Sequence, residues 1–245
     1  MGKDRNYHLN KTKLMADCGY SLIHIFEDEW LNNRDLILNK ISHLLNVNNT
    51  KSIGARKCDI KEIDADVKSD FLNTNHIQGN DKSNIYYGAY YEDVLVAIMS
   101  FTNKRSMNGK SDIYDEYELS RFATNINYRV VGVAGKLLKR FINDYKPKKI
   151  ISFGDRRWVL NSENNMYTKL GFNLVKTYSP DYKYYNPKIA KNKRFHKFGF
   201  GKSSLRKKYP ELDFTKTEKE LMIELGYDRI WDCGLFKYEL KLYNK

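Results

Sequence analysis

The chain holds only three cysteines, Cys18, Cys58 and Cys233. Their number is odd and none sits in a CxxC pair, which argues against a disulfide framework or a structural zinc site and suits a reducing compartment. Apolar runs are short, and none approaches the roughly 20 residues that a membrane-spanning helix needs. No membrane partner is therefore expected. The opening stretch "MGKDRNYHLN" lacks the apolar centre of a signal peptide, so the expected location is the cytoplasm. One shortage is local: residues 183–208 contain no Asp or Glu.

What is present is a globular composition. With 245 residues, 41% of them hydrophobic and 14% aromatic, the chain can bury a core in one large or two modest domains. The formal charge is +13, and the acid-free stretch carries ten Lys or Arg in "KYYNPKIAKNKRFHKFGFGKSSLRKK". There Lys183, Lys193, Arg194, Lys197, Lys202 and Arg206 are interleaved with Tyr184, Tyr185, Phe195, Phe198 and Phe200, a mixture that suits phosphate contacts and stacking on bases. Nucleic acid, and double-stranded DNA in particular, is the expected partner. The competing reading is a lysine excess spread over a solvated surface. Oligomeric state is left open.

Along the chain, "HLNKTKLMADCG" predicts a helix stopped at Gly19, "YSLIHIF" a buried strand, and "DEWLNNRDLILNKISHLLN" a second amphipathic helix. The polar "VNNTKSIGA" reads as a linker, with a boundary near residue 52. Strands and helices then alternate. "KCDIKEI" predicts a strand and "DADVKSDFLNTN" a helix. "NIYYGAYYED" and "VLVAIMSFTN" predict a hairpin turning at Glu92 and Asp93. "YELSRFAT" is a strand, "NINYRVVGVAGKLLKRF" a loop and helix ending before Pro147, "KKIISFGD" a strand, "NSENNMYTKLGF" a short helix, and "NLVKTYS" the last strand of this series. Beyond the basic segment, "TKTEKELMIELG" predicts a helix with a Thr cap, and "DRIWDCGLFKYELKLY" two strands turning at Gly234.

This element order over residues 57 to 180 resembles that of the GNAT acyltransferase superfamily. The resemblance is sharpened by Arg129, Gly132 and Ala134, which stand where that family places Gln or Arg, then Gly, then Gly or Ala, between a strand and a helix. It implies a mixed central sheet flanked by helices, and acetyl-CoA or another acyl-CoA as cofactor. Arg129, Val131, Gly132, Ala134 and Gly135 would hold its pyrophosphate at a helix N-terminus. The alternative is that Gly132 and Gly135 only let the helix pack closely on the sheet. In "MYTKLGF" the resemblance implies that Tyr167 is the general acid for the departing thiolate; otherwise it is a core residue beside Phe172.

"ELSRFA" and "ISFGDRRW" resemble the Mom-type proteins of phages, which alter adenine in DNA. That resemblance implies catalytic places for Ser120, Arg121, Ser152 and Asp155 at the splayed centre of the sheet, with Glu118 as a second candidate base. Asp155 followed by Arg156 and Arg157 is equally a salt-bridged turn, although Arg157 is also a candidate DNA contact. His76 in "NHIQG" is either an acceptor contact or a surface cap.

Nearly the whole chain resembles phage and mobile-element proteins of homing-endonuclease type, through "GARKC", "NHIQG", "ISFGDRRW" and "GYDRIWDCG". In those proteins a nuclease segment of the very-short-patch-repair or PD-(D/E)XK type comes first. Here His8, Lys11, His24 and Glu27 stand as its tail end without the metal-binding carboxylates, so no metal site is expected. The expected class is α/β (α+β). A helix-strand-helix segment spans 1–52, a GNAT-like domain 53–182, and a basic extension with a helix and terminal hairpin 183–245. The expected function is acyl-CoA-dependent modification of a base amine in DNA, in a bacterial host cell. The alternatives are an inactive DNA-binding module of a homing-endonuclease-like protein, or an endonuclease.

Overall fold

The computed structural model describes residues 4–47, 50–103, 115–190 and 193–242. Helices α1 (Tyr7–Asp17) and α2 (Glu27–Leu44) open the chain. Next come β1 (Lys51–Gly54), β2 (Asp59–Glu62), α3 (Ala65–Asn75), β3 (Ile85–Tyr91) and β4 (Val94–Asn103). They are followed by β5 (Glu116–Thr124), β6 (Tyr128–Val131), α4 (Val133–Tyr145), β7 (Lys149–Asp155), α5 (Met166–Lys169) and β8 (Asn173–Thr177). The last elements are β9 (Tyr182–Tyr185), β10 (Arg194–His196), α6 (Lys202–Lys208), α7 (Glu218–Glu224), β11 (Asp228–Trp231) and β12 (Leu235–Lys241). Among the described residues no helix is long and apolar enough to cross a membrane.

The chain packs into two compact units, each discontinuous in sequence. One comprises Met1–Asn32, Asp155–Leu160 and Thr177–Leu235; the other comprises Asn33–Gly154, Asn161–Lys176 and Phe236–Lys245. The sequence reading instead cuts after residues 52 and 182. The passage between units at Asn33 falls where α2 leaves helical geometry (φ −134°, ψ 34°).

The second unit contains a mixed sheet of order β2-β3-β4-β5-β7-β12-β8, flanked by helices as expected. Strands β2 to β5 are antiparallel neighbours, and β5 runs parallel to β7. The β3–β4 hairpin turns on Glu92 (φ 49°) and Asp93 (φ 63°), the paired positive angles of a two-residue turn that matches strand twist. Helix α4 buries Val133, Leu137, Leu138 and Phe141, one face of a 3.6-residue repeat. Phe141 stacks on Phe101 of β4 at 3.7 Å. A second small sheet pairs β1 with β6 in parallel.

The first unit contains an antiparallel sheet of order β10-β9-β11 over a core of Tyr184, Phe200, Leu205, Leu221, Met222 and Tyr227. Helix α7 starts in a capping box between Thr217 and Glu220, as its sequence implied.

Two expectations fail. Residues 20–26 form no strand, since an extended run becomes one only with a ladder partner; His24 instead bonds Thr12 Oγ1 through Nε2 at 2.8 Å. The terminal segment is not a hairpin either: β11 joins β9, whereas β12 enters the large sheet between β7 and β8. Gly234 (φ +83°) lies between them, where any Cβ would run into the Tyr178 carbonyl.

Candidate active site

The centre of the large sheet opens. β5 and β7 pair from Glu116–Lys149 only as far as Leu119–Ser152, although β5 continues to Thr124 and β7 to Asp155. Ser152 is buried, and its hydroxyl donates to the Leu119 carbonyl at 2.8 Å, closing the crotch of the fork. On the other edge of β5 the register with β4 steps from Phe101–Leu119 to Ser100–Arg121. Ser120 is therefore the extra residue of a β-bulge, left out of the ladder; its hydroxyl lies 2.9 Å from Thr102 Oγ1. The bulge also reverses the alternation of faces. Tyr117, Leu119 and Phe122 pack in the core with α4, whereas Ala123 packs with Phe71 and Leu72 of α3.

The Arg129 to Gly135 segment forms β6 and the start of α4. Gly132 is the residue preceding the helix, at φ 82° and ψ 1°, a left-handed conformation that favours glycine. A Cβ there would come no closer than 3.8 Å, to Ala55 Cβ. Gly132 thus answers a backbone demand rather than tight packing. Gly135 faces Leu170 Cδ2 at 3.7 Å from a built Cβ, an ordinary contact. The first-turn N–H groups of α4, those of Val133, Ala134 and Gly135, have no intrahelical acceptor. Arg129 and Val131 are exposed on β6, paired with Ser52 and Gly54. Beside Ala55 stand exposed Arg56 and Lys57, cations near the same helix end that sequence spacing did not single out. Lys136 Nζ donates to the Ala55 carbonyl at 3.0 Å, tying that turn to α4.

Tyr167, on α5, donates from its hydroxyl to the carbonyl of Phe153 at 3.2 Å, and its ring stacks on Tyr238 at 4.6 Å. Phe153 follows the last paired residue of β7, so the phenol reaches one arm of the fork. Glu118 lies on β5, opposite Thr102 and Ile151. Arg121 follows the bulge on the face shared with α3 and donates to the carbonyls of Ser120 and Gly79. His76 caps the end of α3, with Nδ1 accepting the Gln78 N–H at 3.1 Å.

The remaining candidates belong to the first unit. Asp155 is clasped by Arg157, whose Nη2 approaches Oδ2 at 2.6 Å and whose backbone N–H bonds Oδ1 at 2.9 Å. The Arg157 guanidinium also holds Glu29 at 2.8 Å. This is the salt-bridged turn that the sequence left open. Arg194 forks onto Asp28 with two contacts of 2.6 Å. Phe26 is flanked by both guanidiniums, at 5.0 Å and 4.4 Å. Lys197 pairs with Asp181 at 2.6 Å, Lys202 bonds the Phe214 carbonyl at 3.1 Å, and Arg206 lies over the Phe214 ring at 4.9 Å. Desolvation, then Arg194 and Arg157, hold the Lys183 ammonium below its usual range. Lys193 is exposed, as are Lys188, Lys207 and Lys208. Among the described residues no group of three or more His, Cys, Asp or Glu is placed to hold a metal ion.

No protein-family model matches the chain, and no curated protein matches it significantly. Several solved structures are similar. A GNAT family acetyltransferase from Elizabethkingia anophelis with acetyl-CoA bound is 15% identical, with 76% of this chain and 99% of that one covered, at a TM-score of 0.42. An acetyltransferase from Bacillus subtilis in complex with CoA is 16% identical, with 76% and 100% covered, at 0.42. The ribosomal-protein-S18-alanine N-acetyltransferase from Escherichia coli is 10% identical, with 77% and 96% covered, at 0.41.

The environment of His76 has a measurable consequence. Desolvation, then the charges of Arg121 and Lys40, push its imidazole down to about 3 against a weak opposing pull from Asp81. The unfolded chain binds this proton near pH 6.5, and the fold resists it until about 3. Acidification between those values therefore favours unfolding. His76→Gln is expected to lose less melting temperature than the parent between about pH 7 and about pH 4.5, a window above the lowered titration of Asp81. Equal losses would show that the ring is protonated within the fold.

Proposed function

We propose that the chain is an acyl-CoA-dependent N-acyltransferase whose acceptor is a base amine of DNA. The observation that carries this reading is the fork beyond Leu119 and Ser152, bordered by the Ser120 bulge in the same unit as a glycine-headed helix. The residues present fit a pyrophosphate. Gly132 leaves the approach to α4 open, the first-turn N–H groups and the helix dipole favour anions, and Arg56, Lys57 and Arg129 supply charge. Bound there, an acyl-CoA supplies an acyl group activated as a thioester.

The chain's own groups then divide the work. The backbone N–H of the bulged Ser120 is assigned the donor for charge that develops on a carbonyl oxygen in the fork. The amine nitrogen forms the new bond to the acyl carbon while the carbon–sulfur bond breaks. Tyr167 holds a proton at the Phe153 arm for the leaving sulfur. Glu118, on the same strand as the bulge, takes the proton that the amine gives up. Asp155, committed to Arg157, is assigned no step.

Exposed Lys188, Lys193, Lys207 and Lys208 support a nucleic-acid acceptor, because they carry no ion-pair partner among the described residues and suit phosphate contacts. Arg194 and Lys197 are left out of that surface, since Asp28 and Asp181 neutralise them.

Acetyl-CoA at about 100 times its dissociation constant is expected to stabilise the protein by about 2.7 kcal/mol. Gly132→Val is expected to remove that stabilisation, and Tyr167→Phe to retain it while slowing thiol release at least about tenfold. Mass spectrometry of nucleosides from DNA treated with protein and acetyl-CoA should show an acylated base. DNA binding with no thiol release would instead leave a DNA-binding module.

Salt dependence tests the acceptor surface separately. The slope of log affinity against log salt is expected to be about −0.9 per phosphate contact on duplex DNA. Neutralising Lys188, Lys193, Lys207 and Lys208 should flatten it and weaken all sequences alike. An unchanged slope would move the contact surface elsewhere.

A further inference from the structure

Arg121 is a half-buried cation with no ion-pair partner among the described residues. Its Nε donates to the Gly79 carbonyl at 3.4 Å and its Nη1 to the Ser120 carbonyl at 2.8 Å. A guanidinium has five N–H donors, so most of this fork is uncommitted, and among the described residues no carboxylate lies within ion-pairing distance of it. Asp81 feels its charge but is engaged elsewhere. Lys68 Nζ holds one oxygen at 3.1 Å, Ser83 Oγ donates to the same oxygen at 2.6 Å, and Ser100 Oγ reaches the other at 3.5 Å. Lys68 is itself buried, with further bonds to Ser83 O and Oγ. That pair is neutral as a whole, which leaves the Arg121 charge over. An uncompensated, partly desolvated charge is costly, and a protein that retains one gains by offering it to an anion.

The neighbouring ring adds a second donor. His76 accepts the Gln78 N–H on Nδ1 at 3.1 Å, so in its neutral form the hydrogen is on Nε2. Burial and Arg121 keep the ring neutral, with its titration down at about 3. The turn that carries it is fixed: the Gly79 N–H bonds the His76 carbonyl at 2.8 Å with Gly79 at φ +64°, and the Asn80 N–H bonds Asn73 Oδ1 at 3.0 Å. Asn73 belongs to α3, so the turn is bound to the end of that helix.

The sheet face separates this pair from the cofactor loop. Gly132 heads α4, whose core includes Tyr117 and Leu119, whereas Arg121 emerges after the bulge on the α3 side with Ala123. We propose that Arg121 and His76 form an oxyanion receptor that holds a phosphate or carboxylate of the acceptor beside its reacting amine. The proposal rests on the acyltransferase reading for the word acceptor, but not for the receptor itself. Its chemistry is that of a guanidinium fork on a planar or tetrahedral oxyanion. If the acceptor is a base in DNA, the anion is a flanking phosphate.

The test uses the full chain, labelled with nitrogen-15, at a pH where His76 is neutral. Inorganic phosphate and acetate are titrated separately while the His76 ring and Arg121 side-chain resonances are followed. A saturable shift of both with phosphate assigns a phosphoryl group, and one with acetate alone a carboxylate; either supports the receptor. Arg121→Gln is expected to abolish the response. Arg121→Lys, which keeps the charge and a donor for the Gly79 carbonyl, should retain a weaker one, separating lost charge from a disturbed turn. Stabilisation of Arg121→Gln by acetyl-CoA should match the parent. No response to either anion, an undiminished response in Arg121→Gln, or loss of acetyl-CoA stabilisation in that variant would each overturn the proposal. Should acetyl-CoA fail to stabilise the parent while phosphate still shifts both residues, the transferase reading falls and the receptor stands.

Discussion

Two parallel strands that stop pairing in the middle of a buried sheet expose backbone donors and acceptors that the fold must satisfy by other means. At the parting of β5 from β7, the Ser152 hydroxyl takes the Leu119 carbonyl, Arg121 takes the Ser120 carbonyl, and Tyr167 takes the Phe153 carbonyl. Side chains have thus replaced ladder bonds at the mouth. Below it the sheet is braced by the Phe101–Phe141 stack. Such substitution leaves room between the strand ends without leaving their polar groups orphaned, and the Ser120 bulge adds the change of face that sends Arg121 toward α3. Each proposed chemical role in the second unit depends on that opening staying open.

In the first unit the organising interaction is ionic. Asp28 and Glu29 at the start of α2, Asp155 at the end of β7, and Arg157 and Arg194 form one network around Phe26. Its members come from three separate stretches of chain. Removing one partner would leave a desolvated charge unpaired, which costs more than the pair contributes net. The network gathers the N-terminal segment, the turn after β7 and the basic stretch into one compact body, whatever ancestry the N-terminal segment has.

Local periodicity and turn chemistry made much of the fold legible. The apolar spacing of α4, the Glu92–Asp93 turn and the Thr217 cap each act within a few residues, and each formed as read. The context of Gly132 was legible for the same reason. What could not be read depends on partners distant in sequence. The acid-free stretch looked wholly available for phosphate, yet Asp28 lies 166 residues from Arg194. Strand β12 looked like half of a hairpin because neither its register nor the Gly234 approach to the Tyr178 carbonyl is visible in a linear string. The bulge at Ser120 likewise exists only against β4, so the residues at the fork could be named while their faces could not.

The central claim is that the fork and the start of α4 form one acyl-CoA site. Backbone amide shifts, recorded with acetyl-CoA and then with CoA, test it most directly. Both ligands should move the amides of Gly132 to Lys136, where the pyrophosphate is expected, and acetyl-CoA alone should move that of Ser120, where the acyl carbonyl is expected. Perturbations confined to the first unit, or a response at Gly132 with none at Ser120 for either ligand, would contradict the account.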